Sequence, residues 1–375
     1  MKSFVGKTLL LILSTGFSIL AAEITVSITQ PQNLSGSWRV ETEKGLLVNK
    51  SCGSSRHQLG NRVVSYEFAS PHLRGPVHSG SVRVLVLGDS FTFGWLLGNE
   101  NNYVNLLQRK INTEFGPGTI ALLNAAAGGW GTGDQVAFVE DFSGEIRPDF
   151  ILVFLNTDDI GRALQSPLWT FDEASKALTR TVPPRSKLKT VMNAMPGYQW
   201  LLEHSHLMQL ARTTVLSLRS ARRPTDPADR SPPPDPMKTG PRSNSDAATI
   251  RIAKALGTSL FSRLQLWCKE HNVYLAVTTT GWHQPPYTQS EPTSAFMIGA
   301  DALFKELNIP FSDTSSQLWS LRENSRNTFV IPGDGHPNED GAVLIAEHVF
   351  SFLSSQLGGY CRLTNRCAGR ATTRP

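Results

Sequence analysis

The run Phe150-Ile151-Leu152-Val153-Phe154-Leu155 is apolar throughout, with no polar alternation. A strand that faces water on one side alternates apolar and polar residues, whereas a strand covered on both faces is apolar at every position. The run therefore predicts a central parallel strand with helices above and below it. Comparable runs occur at Arg83–Leu87, Thr119–Asn124 and Val273–Thr278, with a shorter one at Ile309–Ser312. Helical patterns separate them: Asn102–Phe115, with Tyr103, Leu106, Leu107 and Ile111 on one face, then Gln135–Phe142, Ala247–Glu270 and Val343–Phe352. Strands alternating with helices predict an α/β fold, a doubly wound, flavodoxin-like parallel sheet of five strands in a three-layer α/β/α arrangement.

The ends and the middle of the chain read differently. Residues 1–22 carry Lys2 and Lys7, then the apolar run Thr8–Leu13 continuing through Phe17 to Ala21-Ala22, the pattern of a secretory signal. The apolar part is short beside the roughly 20 residues of a spanning helix, so cleavage near Ala21 or Ala22 is preferred, with an N-terminal anchor as the alternative. Either reading sends the protein out of the cytoplasm, with membrane association through residues 8–22 in the second. Residues 23–80 show no helical period and are expected to form an extended arm. The main domain is expected over 81–360, interrupted by an insertion at 161–246. Within that insertion, Tyr198–Leu218 with Trp169 and Trp200 could form a lid or a helical flank, and the Pro-rich 222–245 is expected to be disordered. Residues 361–375 form a basic tail. The formal charge of +5 comes largely from Arg219, Arg222, Arg223, Arg230 and this tail, with no basic aromatic face, which argues against nucleic-acid binding. The four cysteines, Cys52, Cys268, Cys361 and Cys367, lack metal-ligand spacing. Cys361 with Cys367 is the favoured disulfide pair in an exported chain, with free thiols as the alternative.

The first strand is followed by Gly88-Asp89-Ser90-Phe91, which puts Ser90 at a strand's carboxyl end, where sheets of this kind place their ligands. A hydroxyl needs a neighbouring base to become a nucleophile, and the base works better when a third group orients it. Of nine histidines, His336 lies in the Gly/Pro-rich turn Ile331-Pro332-Gly333-Asp334-Gly335-His336-Pro337-Asn338, with Asp334 two residues before it. His204, His206, His271 and His283 lack such company. Donors for a developing oxyanion could come from the Ser90 N–H, from the Gly129 N–H in Ala125–Gly131, and from Asn156 after the central strand. Asp89 reads as structural, capping the helix that starts at Ser90.

Four ordered blocks, Gly88–Phe91, Asn124–Gly131, Asn156–Asp159 and Asp334–Asn338 followed by Gly341, resemble those of the SGNH hydrolases, the GDSL esterase and lipase superfamily. The resemblance spans roughly residues 83–357 without the insertion. It implies that Ser90 is the nucleophile, with its N–H and that of Gly129 as oxyanion donors, His336 as base and Asp334 as its orienter, with no metal and no cofactor. Two features depart from the family pattern. Asp158 stands where the family has its oxyanion asparagine; Asn156, sharing a strand face with it, is expected to supply the amide while Asp158 turns to a backbone or basic partner. Asp334 is closer to its histidine than in many members, so a histidine without that carboxylate, or one helped by Asp313, stays open. The implied function is hydrolysis of carboxylic esters through an acyl-enzyme, on a small-molecule or carbohydrate ester, with O-acetyl groups of envelope polymers as candidates. Polysaccharide O-acetyltransfer and non-catalytic glycan binding are the alternatives.

Overall fold

The apolar runs assemble into one parallel sheet in the computed structural model, which describes residues 2–156, 158–183, 191–192, 195–222, 247–280, 292–324, 329–364 and 366–367. Its strands are β1 (Val82–Leu87), β2 (Ile120–Asn124), β3 (Phe150–Leu155), β4 (Tyr274–Thr279) and β5 (Phe311–Ser312). Their order is β2-β1-β3-β4-β5 with every pairing parallel, in registers such as Leu85 with Ile151 and Leu87 with Val153. This is the flavodoxin-like order, whose strand direction of travel reverses between β1 and β3 and opens a crevice at their carboxyl ends.

The unbroken apolar composition of β3 is explained by the two faces it covers. Ile151, Val153 and Leu155 pack with Leu85 and Leu87 against α3 (Thr132–Ile146) and α5 (Ala247–Glu270). Phe150, Leu152 and Phe154 pack with Val84 and Val86 against α2 (Tyr103–Phe115) and α6 (Glu339–Thr364). Side chains buried this fully contribute about 1.5–3 kcal/mol each. Asn102 starts α2 by accepting from the Val104 N–H, and Gly116 at φ +87° ends it. The helices before and after the site run beyond their expected bounds. α3 begins already at Thr132, and α6 continues past Phe352 because Leu353, Leu357 and Tyr360 prolong its buried stripe through Gly358-Gly359.

The chain divides into two compact units, one of residues 1–38, 55–65 and 186–233, the other of 39–54, 66–185 and 234–375, which holds the sheet. In the first unit the N-terminal helix spans Lys2–Thr29, beyond Ala22, and Phe4–Thr29 is by length and composition apolar enough to cross a membrane. The segment Tyr198–Leu218 is two helices there, Tyr198–His204 and His206–Arg222, and the Glu23 carboxylate accepts from the N–H groups of His206 and Leu207 at the start of the second.

In the second unit the expected arm is partly a strand pair, Arg39–Glu41 antiparallel to Leu47–Asn49. Trp169 lies in another such pair, Trp169–Phe171 with Leu178–Arg180. It is 8% exposed, its indole N–H donates to the Gly133 carbonyl at 2.8 Å, and the guanidiniums of Arg180 and Arg263 lie over its ring, 5.1 and 4.9 Å from the centroid. Trp169 is thus core, and the expectation of a lid built on it is corrected: its N–H is spent on Gly133 and its ring is buried. Cys361 and Cys367 form a disulfide, Cys52 is exposed and Cys268 is buried. The Pro-rich segment from residue 223 to 245, the tail from 368, and His283 lie outside the described residues.

Candidate active site

Gly88 lets β1 turn tightly, since an added Cβ would stand 2.1 Å from the Thr92 hydroxyl oxygen. Asp89 follows as the cap of α1 (Ser90–Phe93), its carboxylate accepting from the Phe91 N–H at 2.9 Å, and Gly94 ends the turn at φ +79°. Ser90 is therefore held on the carboxyl edge of the sheet, beside the β1/β3 reversal. It is 7% exposed.

His336 reaches this edge on a loop that closes on itself. Val330 bridges Pro337, the Ile331 N–H donates to the His336 carbonyl at 2.8 Å, and the Asp334 N–H donates to the Ile331 carbonyl at 3.1 Å. Gly335, at φ +89°, occupies a backbone conformation that side chains with Cβ adopt only with strain. Asn338 then accepts from the Gly341 N–H at 2.9 Å, leading into α6. The loop brings His336 Nε2 to 2.8 Å from Ser90 Oγ, and Nδ1 to 2.5 Å from Asp334 Oδ1. The two-residue spacing of Asp334 and His336 is thus compatible with a direct contact. The other Asp334 oxygen accepts from the Trp95 indole N–H at 3.1 Å. Phe91 and Trp95 flank the imidazole, with ring centroids 4.8 and 5.7 Å away. Burial alone pushes the Asp334 carboxyl up, but hydrogen bonds from His336 and Trp95, together with the His336 charge, hold it below the usual carboxylate range.

Behind the serine lies a buried ionic cluster. Asp89 Oδ2 accepts from Arg162 Nη1 and from the Asn156 amide, both at 2.8 Å. Asp159 Oδ2 accepts from the Asn156 N–H and from Gln135. Burial, and next the negative charge of Asp89, push the Asp159 carboxyl well above the carboxylate range, while Arg162 and its two hydrogen bonds offset only part of that. Arg162 is held on every side, since it also donates to the Trp130 carbonyl and pairs with Asp158 at 3.3 Å.

Asn156, expected to aim its amide at a reacting oxygen, has its Nδ2 on Asp89 and its Oδ1 accepting from Thr280 at 3.0 Å. The shared strand face is absent as well. β3 ends at Leu155, and Asp158 has helical backbone angles as the residue capping α4 (Asp159–Gln165). Asp158 is exposed and turned to Arg162, a basic partner. Asp313 accepts from the Thr279 hydroxyl and the Ser315 N–H instead of serving His336. His204 contacts the Trp200 carbonyl of its own helix, His271 contacts the Trp267 carbonyl in the last turn of α5, and His206 accepts from the Gln32 N–H. Gly128 packs against Ser90 and Trp95, each 3.9 Å from the position of an added Cβ, and Gly129 adopts φ +77°. Among the described residues no cluster of His, Cys, Asp or Glu could hold a metal ion.

Sequence reading overlooked Trp95 and Arg162. Trp95 carried no signal beyond lying five positions after the serine. Arg162 did carry one, since its spacing of four from Asp158 and three from Asp159 is that of facing residues on a helix.

Residues 86–344, more than half of the 375, match the family model described as the GDSL-like lipase/acylhydrolase family. The chain belongs to that family. This GDSL-type protein is a serine ester hydrolase of the SGNH superfamily, acting on carboxylic esters. Solved structures similar to it include a psychrotrophic esterase, EstA, from Pseudoalteromonas sp., at 14% identity over 74% of this chain and 98% of that one, with a TM-score of 0.41. Another is the acetylxylan esterase Axe2 from Geobacillus stearothermophilus, at 13% identity over 73% and 94% of the two chains and a TM-score of 0.41. No curated protein sequence matches the GDSL-type chain.

Proposed function

We propose that Ser90, His336 and Asp334 perform the hydrolysis, and that the substrate carries a small acyl group on a carbohydrate or other small alcohol. The observation that supports the residue roles best is the chain of contacts from Ser90 Oγ through both ring nitrogens of His336 to Asp334. In this reading His336 Nε2 takes the hydroxyl proton as Ser90 Oγ bonds to the acyl carbon. The carbonyl π pair moves onto its oxygen, where the N–H groups of Ser90 and Gly129 stabilise it. Collapse expels the alcohol, protonated by His336, and water repeats the sequence on the acyl-enzyme. Asp334 keeps Nδ1 protonated and so leaves Nε2 able to accept.

The preference for short acyl groups is supported by the walls around the nucleophile. Trp95 and Gly128 crowd Ser90, and the neighbouring Ala125, Ala126 and Ala127 are fully buried, which leaves little room for a long chain. Nitrophenyl esters of increasing acyl length are the test. Wild type should favour acetate over octanoate and bind a fluorophosphonate covalently at Ser90, and Ser90→Ala should lose both properties. Equal rates for the two proteins would sink the proposal.

Export is part of the same reading. The apolar N-terminal helix would serve as signal or anchor, and the Cys361–Cys367 disulfide suits an oxidising compartment. Mass measurement of the chain recovered from its native host distinguishes a terminus near Glu23 from a retained helix.

A further inference from the structure

At the family's asparagine position stands Asp158, a carboxylate, and the Asn156 amide donates to Asp89. Beside two backbone N–H groups, a further donor would add to the stabilisation of the developing charge. The strand pair ending at Arg39 brings a cation to the same turn. Arg39 Nη1 lies 3.6 Å and Nη2 4.0 Å from where a Cβ of Gly129 would stand, while Ser90 packs on the preceding residue, Gly128. Consecutive Cα atoms are about 3.8 Å apart. The guanidinium and the nucleophile therefore flank the same pair of glycines, and the absence of a side chain at Gly129 keeps the gap open.

The two arginines near this turn differ in what they do. Arg162 is paired with Asp89 at 2.8 Å and with Asp158 at 3.3 Å. Arg39 forms no hydrogen bond and no ion pair among the described residues. Burial lowers its pKa without releasing its proton, while Asp134 attracts the charge and Arg162 repels it. Asp134 spends one carboxylate oxygen on the Gly131 N–H. A half-buried guanidinium whose one attracting carboxylate is partly engaged elsewhere keeps donors available for an arriving anion. In an acyl transfer, the anion that arrives is the carbonyl oxygen as it accepts the π pair.

We infer that Arg39 is the charged donor of the oxyanion site, taking the place of the family's asparagine amide. The inference rests on the assignment of Ser90 as nucleophile. It concerns charge that exists only once the Ser90–acyl bond is forming, so Arg39 should act on kcat and leave ground-state binding of a neutral ester almost unchanged.

The test uses the full chain and neutral 4-nitrophenyl acetate. Arg39→Met should lower kcat by about a hundredfold, in the range seen when one oxyanion donor is removed, with KM within a factor of about three. Arg39→Lys should recover roughly tenfold of that loss, because the charge returns without the fork of donors. Fluorophosphonate labelling of Ser90 should slow by a factor similar to the loss in kcat. The melting temperature of Arg39→Met should equal or exceed that of wild type, because a purely structural arginine would lower it. A kcat for Arg39→Met within twofold of wild type overturns the inference, as does a loss confined to KM. A loss seen only with an anionic ester such as 4-nitrophenyl hydrogen succinate also overturns it, and would instead mark a substrate carboxylate site. If wild type neither turns over the ester through Ser90 nor is labelled there, the nucleophile assignment falls and takes this inference with it; normal wild-type chemistry with an indifferent Arg39→Met removes the inference alone.

Discussion

Asp334 is the residue on which the proposed proton relay turns, because one carboxylate serves two donors. Replacing it by Asn keeps the shape but offers His336 an amide that can enforce the wrong tautomer, so kcat should fall by about 10³–10⁴, measured on 4-nitrophenyl acetate. Its carboxyl is held below the ordinary range, so its contribution to stability is complete above the unfolded-state value near 3.8 and disappears as pH falls through the lower folded-state value. The melting temperatures of wild type and Asp334→Asn should therefore converge as pH drops below about 4. Asp159 has the opposite sign. Its folded-state pKa is raised, so the folded protein holds a proton that the unfolded chain has lost, and stability declines as pH rises from the ordinary value through the raised one. Asp159→Asn should flatten that decline and be neutral or stabilising at pH 7. Asp89→Asn should instead cost about 3 kcal/mol in denaturant unfolding, because it removes the main counterion of Arg162. Of these residues, Ser90, His336 and Asp334 were legible from the sequence because the chemistry of each requires a particular residue type in a glycine-rich turn. The direction of the Asn156 amide was not legible, since it depends on Asp89 and Thr280, which are remote in sequence.

At the scale of the element, the loop before α6 depends on how closely it can approach the helix. A Cβ at Gly341 would stand 2.2 Å from the Phe329 carbonyl oxygen and 3.1 Å from the Pro337 side chain. Backbone cannot yield as a flexible side chain can, so Gly341→Ala should displace the His336 loop. We expect about 1–3 kcal/mol of destabilisation by thermal melting, with activity lost by a larger factor than the folded fraction. The sheet strands were readable because burial on both faces leaves a run with no alternation, as in Phe150–Leu155. Helix ends were less so. In α6 the pair Gly358-Gly359 looks like a stop signal, yet Leu357 and Tyr360 on the buried stripe carry the helix onward. Trp169 shows the limit of composition: a tryptophan in an insertion can roof a site or fill a core, and only its bond to Gly133 decides.

For the whole molecule, thiol chemistry reports the integrity of the fold. Cys268 lies on the buried face of α5, and burial pushes its thiol up to about 12, whereas Cys52 is exposed and Cys361 and Cys367 are joined. Native protein should take up one maleimide per chain, at Cys52, and a second only on unfolding, as counted by mass spectrometry. Rapid labelling of Cys268 in native protein would contradict the packing described between α5 and the sheet. Ser90 and His336 stand 246 positions apart in sequence yet share a 2.8 Å contact. Such a contact depends on the loop before the final helix holding its place. Turnover should consequently fail at a lower temperature or denaturant concentration than the circular dichroism of the sheet, making the reaction itself a gauge of whether the two ends of the hydrolase domain have met.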